Sequence, residues 1–169
     1  MGEGKDGYII ESISPGKLSK ENGYVCKIFK HSTKVNVLLH DTLKEIDPNN
    51  KRFNRYYLPE YKDSNIDISN IVFQKYLIPF NSKQMSKAQY RYLRESLEIL
   101  HANNISHGDL PENVMLDPSD HLPRIIDWEN ANVDCEAIDK TIDYNAFLTH
   151  YGRTKSHDRR VDNIISKTI

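Results

Sequence analysis

The sequence has few cysteines and no long hydrophobic run. Of its 169 residues only two are cysteines, Cys26 and Cys135, and they lie far apart without the spacing of a zinc site. We therefore expect two reduced thiols in a cytoplasmic protein rather than a disulfide framework. No apolar stretch approaches the roughly 18–20 residues that a membrane span needs, and the N-terminus has no apolar signal region, so no membrane partner is expected.

An excess of charge of either sign is also absent. The formal net charge is −1, so no overall positive field attracts nucleic acid, and a nucleic-acid partner is not expected. The hydrophobic share of 38% and the charged share of 28% are those of an ordinary folded domain. Basic residues collect in the last part of the chain, where such runs are usually solvated. They are Arg153, Lys155, His157, Arg159, Arg160 and Lys167.

The hydrophobic pattern of the first half predicts strands and one helix. Residues 7–13 and 23–30 are rich in β-branched and aromatic types, which favours a pair of strands. Residues 33–46 carry apolar residues at 35, 38, 39, 43 and 46, which is helical spacing, and Pro48 ends this helix. Residues 71–80 are expected to form a further strand. Together these elements form a predicted domain of residues 1–80.

The second half predicts two longer helices with short strands between them. Ser86 is the expected N-cap of a helix that ends near Asn103. A last helix is expected over residues 139–151. We therefore predict an α+β protein with a second domain of residues 81–151 and a polar tail of residues 152–169.

Two short segments, residues 107–116 and 125–129, carry the residues with chemistry. Asp109 and Asn113 share a tight loop in the first, and Asp127 ends an apolar strand in the second. Oxygen ligands such as these, together with phosphate oxygens, suit Mg²⁺. Phosphoryl transfer also needs a carboxylate that orients the attacking hydroxyl. Each residue alone is an ordinary turn former, but their combination predicts a site for phosphate and magnesium.

This combination resembles the catalytic loop of the protein-kinase-like superfamily, in which His-x-Asp precedes an Asn and a strand-borne Asp-Phe-Gly. The resemblance implies a kinase-like fold with a small β-rich N-lobe and a reduced helical C-lobe. It implies that Asp109 is the catalytic base and that Asn113 and Asp127 hold Mg²⁺. It also gives His107 a structural role beside the Asp127 turn, and Asp143 resembles the buried acid that braces the loop.

The N-terminal segment agrees with the same resemblance. Gly2, Gly4 and Gly7 match a Gly-x-Gly-x-x-Gly-x-Val loop with Ile9 in the last place. Glycine lets the backbone N–H groups of such a loop approach phosphates. The run Val-Cys-Lys that ends at Lys27 is similar to the kinase strand whose lysine holds the α- and β-phosphates of ATP.

In the superfamily this lysine pairs with a glutamate of the next helix. The predicted helix here offers Asp41 and Glu45, one turn apart on the same face. Glu45 has the matching side chain but lies near the helix end, whereas Asp41 is better placed but shorter. The sequence does not choose between them, and either could equally be a surface acid.

Looser likenesses point in two directions. The run Tyr-Val-Cys-Lys-Ile-Phe-Lys at residues 24–30, with Ile-Asp-Pro at residues 46–48 before Phe53, is similar to kinases of large DNA viruses, which would place the protein in the host cytoplasm or the virion. Gly108, and Asp-Trp-Glu at residues 127–129, also resemble small-molecule kinases of the aminoglycoside and choline type. The implied partners are therefore ATP with Mg²⁺ and a protein substrate or protein partner.

The sequence departs from the superfamily at several points. Asp109 and Asn113 are four positions apart where the family has five, and Glu129 replaces a glycine. Little chain separates Glu129 from Asp143, which leaves no room for a full activation segment, and the helical subdomain that carries peptide substrates is not evident. Three functions therefore remain open: a minimal Ser/Thr protein kinase, a pseudokinase that acts as a binding or scaffold module, and a small-molecule phosphotransferase.

Overall fold

The computed structural model describes residues 2–3, 7–11, 23–30, 36–57 and 71–152. The chain divides into two units, Met1–Leu77 and Ile78–Ile169. The division lies three residues before the domain boundary predicted after residue 80. The predicted tail from residue 153 onward lies outside the described residues.

The first unit contains a four-stranded antiparallel sheet in the order β1-β2-β3-β4. The expected pairing of residues 7–13 with 23–30 is present, although β2 is described only as far as Glu11. In β3, Lys27 pairs with Ile9 of β2 and with Val72 of β4. A central strand with neighbours on both sides holds the backbone of Lys27 firmly. The strands are β1 Gly2–Glu3, β2 Gly7–Glu11, β3 Tyr24–Phe29 and β4 Ile71–Lys75.

The helix of this unit, α1, spans Val37–Ile46, so the predicted start near residue 33 is wrong. Asn36 has an extended backbone, and its side chain accepts a hydrogen bond from the Leu39 backbone N–H, which makes it the N-cap. The predicted apolar face is wrong in part as well. Leu39 and Leu43 are buried, but Leu38 is 63% exposed because it lies about 100° around the helix from Leu39.

Asp47 ends α1 and organises the turn that follows. Its buried carboxylate accepts hydrogen bonds from the backbone N–H groups of three residues, Lys51, Arg52 and Phe53. Asn54, also buried, donates to the Lys75 carbonyl and accepts from the Lys75 N–H. These polar side chains act as substitutes for backbone pairing and fix the path of residues 47–57 against β4.

The strand predicted over residues 71–80 is two strands in two different sheets, so that prediction is corrected. After β4 ends at Lys75, the Tyr76 N–H still bonds to the Gly23 carbonyl, but β5, Ile78–Pro79, belongs to the second unit. There it pairs with β6, Val114–Leu116, which pairs in turn with β7, Pro123–Ile125. A continuous apolar run does not reveal where a strand changes its hydrogen-bonding partner.

Two helices pack in the second unit, and both were predicted. Helix α2 spans Lys87–Ala102 and begins with a capping box between Ser86 and Gln89, worth about 1 kcal/mol. Helix α3 spans Ala137–Tyr151, and α2 packs against both β7 and α3. The residues of α2 that are buried are Tyr90, Leu93, Ser96, Leu97 and Leu100. Among the described residues, no helix has the length and apolar character required to cross a bilayer.

The connection between β6 and β7 is closed by buried charges. Arg124 is 0% exposed, and one of its terminal nitrogens contacts the carboxylates of Asp117 at 3.1 Å and of Asp120 at 2.6 Å. A buried guanidinium needs such partners, because an unpaired charge in the interior is very costly. These two ion pairs therefore fix the β6–β7 hairpin. The open end of that hairpin carries Asn113 on one strand and the segment that leads to Asp127 on the other.

Candidate functional site

His107 lies at the centre of the candidate site in the second unit. Its ring is fully buried, and Nε2 lies 2.7 Å from the Ile126 carbonyl oxygen, to which it donates its hydrogen. Nδ1 is then the acceptor for the Asp109 backbone N–H at 3.3 Å. Burial lowers the pKa of the ring, while the Ile126 carbonyl and nearby acids oppose that effect. A neutral His107 thus joins the loop that carries Asp109 to the residue before Asp127.

Asp143 of α3 holds the same loop from a second direction. Its buried carboxylate accepts hydrogen bonds from the backbone N–H groups of His107 at 2.6 Å and Gly108 at 2.9 Å. His101 of α2 contributes a third contact at 3.2 Å, which the sequence did not suggest. Burial raises the pKa of Asp143, but the hydrogen bonds from His101 and the two amides outweigh it and hold that pKa below its usual value.

Gly108 can be replaced by no other residue without strain. Its φ is +79°, in the left-handed region that glycine adopts freely. A Cβ atom built on it would lie 2.5 Å from the backbone carbonyl oxygen of Asn130. The backbone at Gly108 thus lies so close to the backbone at Asn130 that only glycine fits between His107 and Asp109.

The shortened loop still brings Asn113 to Asp109. The Asn113 side-chain nitrogen donates to the Asp109 carbonyl oxygen at 2.8 Å and to its carboxylate at 2.9 Å. Asp109 is exposed to solvent. Because the amide nitrogen faces Asp109, the amide oxygen is the atom of Asn113 that could bind a metal ion.

Tyr151, the last residue of α3, supports the middle of this loop. Its buried hydroxyl donates to the Pro111 carbonyl oxygen, between Asp109 and Asn113. Burial, with the negative charge of Glu112, raises the pKa of Tyr151, so the phenol is a proton donor at neutral pH. The sequence indicated a helix here but not this contact, because residues 111 and 151 are far apart in the chain.

Asp127 lies two residues after the end of β7, in a segment whose backbone bonds to Asn113. The Ile126 N–H donates to the Asn113 carbonyl oxygen at 3.0 Å, so the backbones of the two predicted metal ligands adjoin. Asp127 has φ +67°, in the left-handed region, which aspartate enters more readily than most residues with a side chain. Here the buried Trp128 packs edge-on against the His107 ring at 5.2 Å.

The donor atoms fit a hard cation bound together with phosphate. Among the described residues, no group of three or more His, Cys, Asp or Glu side chains forms a metal site of its own. Asn113 and Asp127 supply one amide oxygen and one carboxylate. Mg²⁺ is usually bound in this way, by one or two protein carboxylates with water and substrate phosphate completing its shell.

In the first unit, Lys27 is 8% exposed and surrounded by aromatic rings. Its Nζ donates to the Tyr56 hydroxyl at 2.9 Å and lies 4.9 Å from the centre of the Phe29 ring. Asp41 and Glu45 are both exposed, and within the described part of the chain neither forms an ion pair with Lys27. The structure therefore brings a tyrosine hydroxyl to Lys27 rather than either of the carboxylates that the sequence offered.

The predicted glycine loop is only partly described. Gly2 lies in β1 opposite Ile9, and Gly7 begins β2 opposite Phe29 of β3, so the two glycines belong to adjacent antiparallel strands. Gly4 lies outside the described residues. The proposed contact of this loop with phosphates stays a prediction.

Comparisons with known proteins give likenesses to solved structures only. No family model matches the chain, and no curated protein matches it. Among solved structures, the chain is similar to the kinase PK-1 of Cydia pomonella granulovirus, with 22% sequence identity and a TM-score of 0.44. The match covers 65% of this chain and 45% of that chain, so less than half of the granulovirus kinase is represented.

Proposed function

We propose that the chain is a reduced kinase-like ATP-dependent phosphotransferase that transfers the γ-phosphate of Mg-ATP to Ser or Thr of a protein. The observation that carries the proposal is the arrangement of Asp109, Asn113 and Asp127 around the buried His107. One group can accept a proton, and two adjoining groups can bind a hard cation. Asp143 and Tyr151 bond to the backbone of residues 107, 108 and 111 and so fix the position of Asp109 and Asn113, as accurate positioning of reacting groups requires.

Asp109 is the proposed base. Its exposed carboxylate can accept the proton of an incoming hydroxyl, and the hydrogen bond from Asn113 limits its orientation. Asn113 and Asp127 are the proposed ligands of Mg²⁺, and Lys27 the proposed contact to the α- and β-phosphates. When bound, the metal ion would neutralise negative charge on the phosphate oxygens. The tight turn at Gly108 keeps Asp109 at the exposed end of the loop.

A pseudokinase that binds nucleotide without transfer is the second candidate, and one observation favours it. The Asn113 amide occupies one oxygen of the Asp109 carboxylate at 2.9 Å. In a loop one residue short, this contact could hold the carboxylate away from a hydroxyl substrate, and misplacements of about 1 Å can cost roughly 10²-fold in rate. Binding would then remain while transfer is lost.

The test follows thermal stability as Mg-ATP is added, with phosphate incorporation into protein substrates measured in parallel. A ligand at 100 times its Kd stabilises the native state by about 2.7 kcal/mol. Asp127→Asn is an informative variant because Asn tolerates a positive φ and removes only the charge. Asp134→Asn, at an exposed acid outside the site, is the matched control.

We expect Mg-dependent stabilisation and phosphate transfer in the wild type and the control. Asp127→Asn should lose both, and Asp109→Asn should lose transfer while it keeps stabilisation. Stabilisation without transfer in the wild type would establish the pseudokinase instead. Absence of any Mg-ATP effect on the wild type would contradict both candidates.

A further inference from the structure

We propose that Tyr56 is a positioning residue that holds the Lys27 ammonium group where it meets nucleotide phosphates. This inference rests on the proposed function, in which Lys27 contacts ATP. Lys27 is almost fully buried, and a buried ammonium group is costly unless a polar group receives its hydrogens. The Tyr56 hydroxyl does so at 2.9 Å, from a residue 29 positions away in the chain.

Aromatic faces add a second restraint on the same group. The Lys27 Nζ lies 4.9 Å from the centre of the Phe29 ring and 5.2 Å from that of Tyr56. Both distances are within the range at which a cation is attracted to a ring face. Two rings and one hydroxyl, all buried in the first unit, therefore contribute to the position of the ammonium group.

Tyr56 is itself held by α1. Its backbone N–H donates to Nδ1 of His40 at 3.3 Å, and the two rings lie 5.0 Å apart. Burial, and then the positive charge of Arg55, lower the pKa of His40 to about 4. The His40 ring is consequently neutral at pH 7, and its Nδ1 can accept the hydrogen bond.

The Tyr56 hydroxyl orients the Lys27 ammonium group by accepting one of its hydrogens, while the Tyr56 backbone is bonded to His40 of α1. Helix α1 accordingly contributes to the phosphate contact through His40, although its acids Asp41 and Glu45 are exposed.

The test compares Tyr56→Phe with the wild type by calorimetric titration of Mg-ATP and of adenosine. The substitution removes one oxygen atom and keeps the ring. Tyr57→Phe is the matched control, because the Tyr57 ring packs against Tyr24 at 5.3 Å and lies under Arg55. We expect Tyr56→Phe to weaken Mg-ATP binding by about tenfold, the effect of one hydrogen bond to a charged group. Adenosine affinity should not change in either variant.

A double variant adds a second readout. If Tyr56 acts through Lys27, then Lys27→Met combined with Tyr56→Phe should bind Mg-ATP no more weakly than Lys27→Met alone. Unchanged Mg-ATP affinity in Tyr56→Phe, or equal losses for ATP and adenosine, would overturn the role of Tyr56 and leave the proposed function intact. A wild type that fails to bind Mg-ATP would contradict the proposed function and this inference with it.

Discussion

The protein positions the candidate loop of the second unit and Lys27 of the first unit in different ways. In the second unit, the loop of residues 107–113 is held by buried polar side chains, Asp143 and Tyr151, that bond directly to its backbone. In the first unit, the contacts are made to the Lys27 side chain itself, by aromatic rings and a hydroxyl. The first arrangement fixes a backbone path, whereas the second fixes the position of one charged group.

This difference has an energetic consequence. Removing a side chain that satisfies buried backbone N–H groups leaves donors without partners, which costs several kcal/mol. Removing a hydroxyl beside a long lysine allows the lysine to move. We therefore expect substitutions around the loop to affect stability and activity together, and substitutions around Lys27 to affect mainly ligand affinity.

The largest effect is expected for Asp143→Ala. It removes the acceptor of the His107 and Gly108 amides and of His101, so the free energy of unfolding should fall by about 4 kcal/mol. Chemical denaturation measures this change, and Asp134→Ala is the exposed control. A loss below about 1 kcal/mol would show that the loop does not depend on Asp143.

An acid-dependent loss of stability is expected from His40 in the first unit. Its pKa is about 4 in the folded state and about 6.5 when unfolded, so only the unfolded chain binds the proton between those values. Stability should therefore fall as pH drops from 6.5 to 4, by at most about 3 kcal/mol at roughly 1.4 kcal/mol per pKa unit.

The contribution of His40 can be separated with His40→Asn. Asparagine offers an acceptor to the Tyr56 amide but cannot take up a proton. Unfolding measured from pH 7 to pH 4 should therefore show a flatter profile for the variant, while the contribution of His107 is common to both proteins and cancels. Parallel profiles would contradict the assignment.

The next largest loss of stability is expected for Gly108→Ala, and Gly23→Ala is its matched control. Both glycines have φ near +80°, but a Cβ at Gly23 meets nothing within 4 Å, whereas one at Gly108 meets the Asn130 carbonyl. Gly23→Ala should cost about 1 kcal/mol from backbone strain alone. Gly108→Ala should cost about 2–3 kcal/mol and lower phosphate transfer. Equal costs would remove the role of the Asn130 contact.

The smallest effect on stability is expected for Tyr151→Phe, at about 1 kcal/mol for one hydrogen bond. Since the lost bond supports Pro111 between the proposed base and a proposed metal ligand, kcat should fall while Kd for Mg-ATP is unchanged. Tyr144→Phe, on the same helix and stacked on Phe147, is the control. A change in Mg-ATP affinity without a change in kcat would contradict a role in positioning the loop.

The sequence was most informative where local chemistry decides the structure. The Ser86 cap, the end of α2 near Asn103 and the turn at Pro48 each depend on residues within one or two helical turns, and all are present. The candidate residues around His107 were also recognisable, because motif spacing places them on one loop and one following strand. The structure brings them together, and their chemical roles stay predictions.

The contacts that sequence reasoning missed all join distant parts of the chain. Tyr56 meets Lys27, Tyr151 meets Pro111 and His101 meets Asp143, over separations of 29, 40 and 42 positions. No periodicity encodes such pairs, and a tyrosine in a polar segment is usually just a surface residue. The division of residues 71–80 between two sheets was missed for the same reason, since partner strands decide it.

The central claim is that the loop of the second unit transfers phosphate, and one assay addresses it most directly. The rate of phosphate transfer from γ-labelled ATP to Ser and Thr peptides would be measured with Mg²⁺ for the wild type and Asp109→Asn. The account predicts Mg-dependent transfer by the wild type and a loss of at least about 10²-fold in the variant. Equal rates for the two proteins would contradict the assignment of Asp109 as the base.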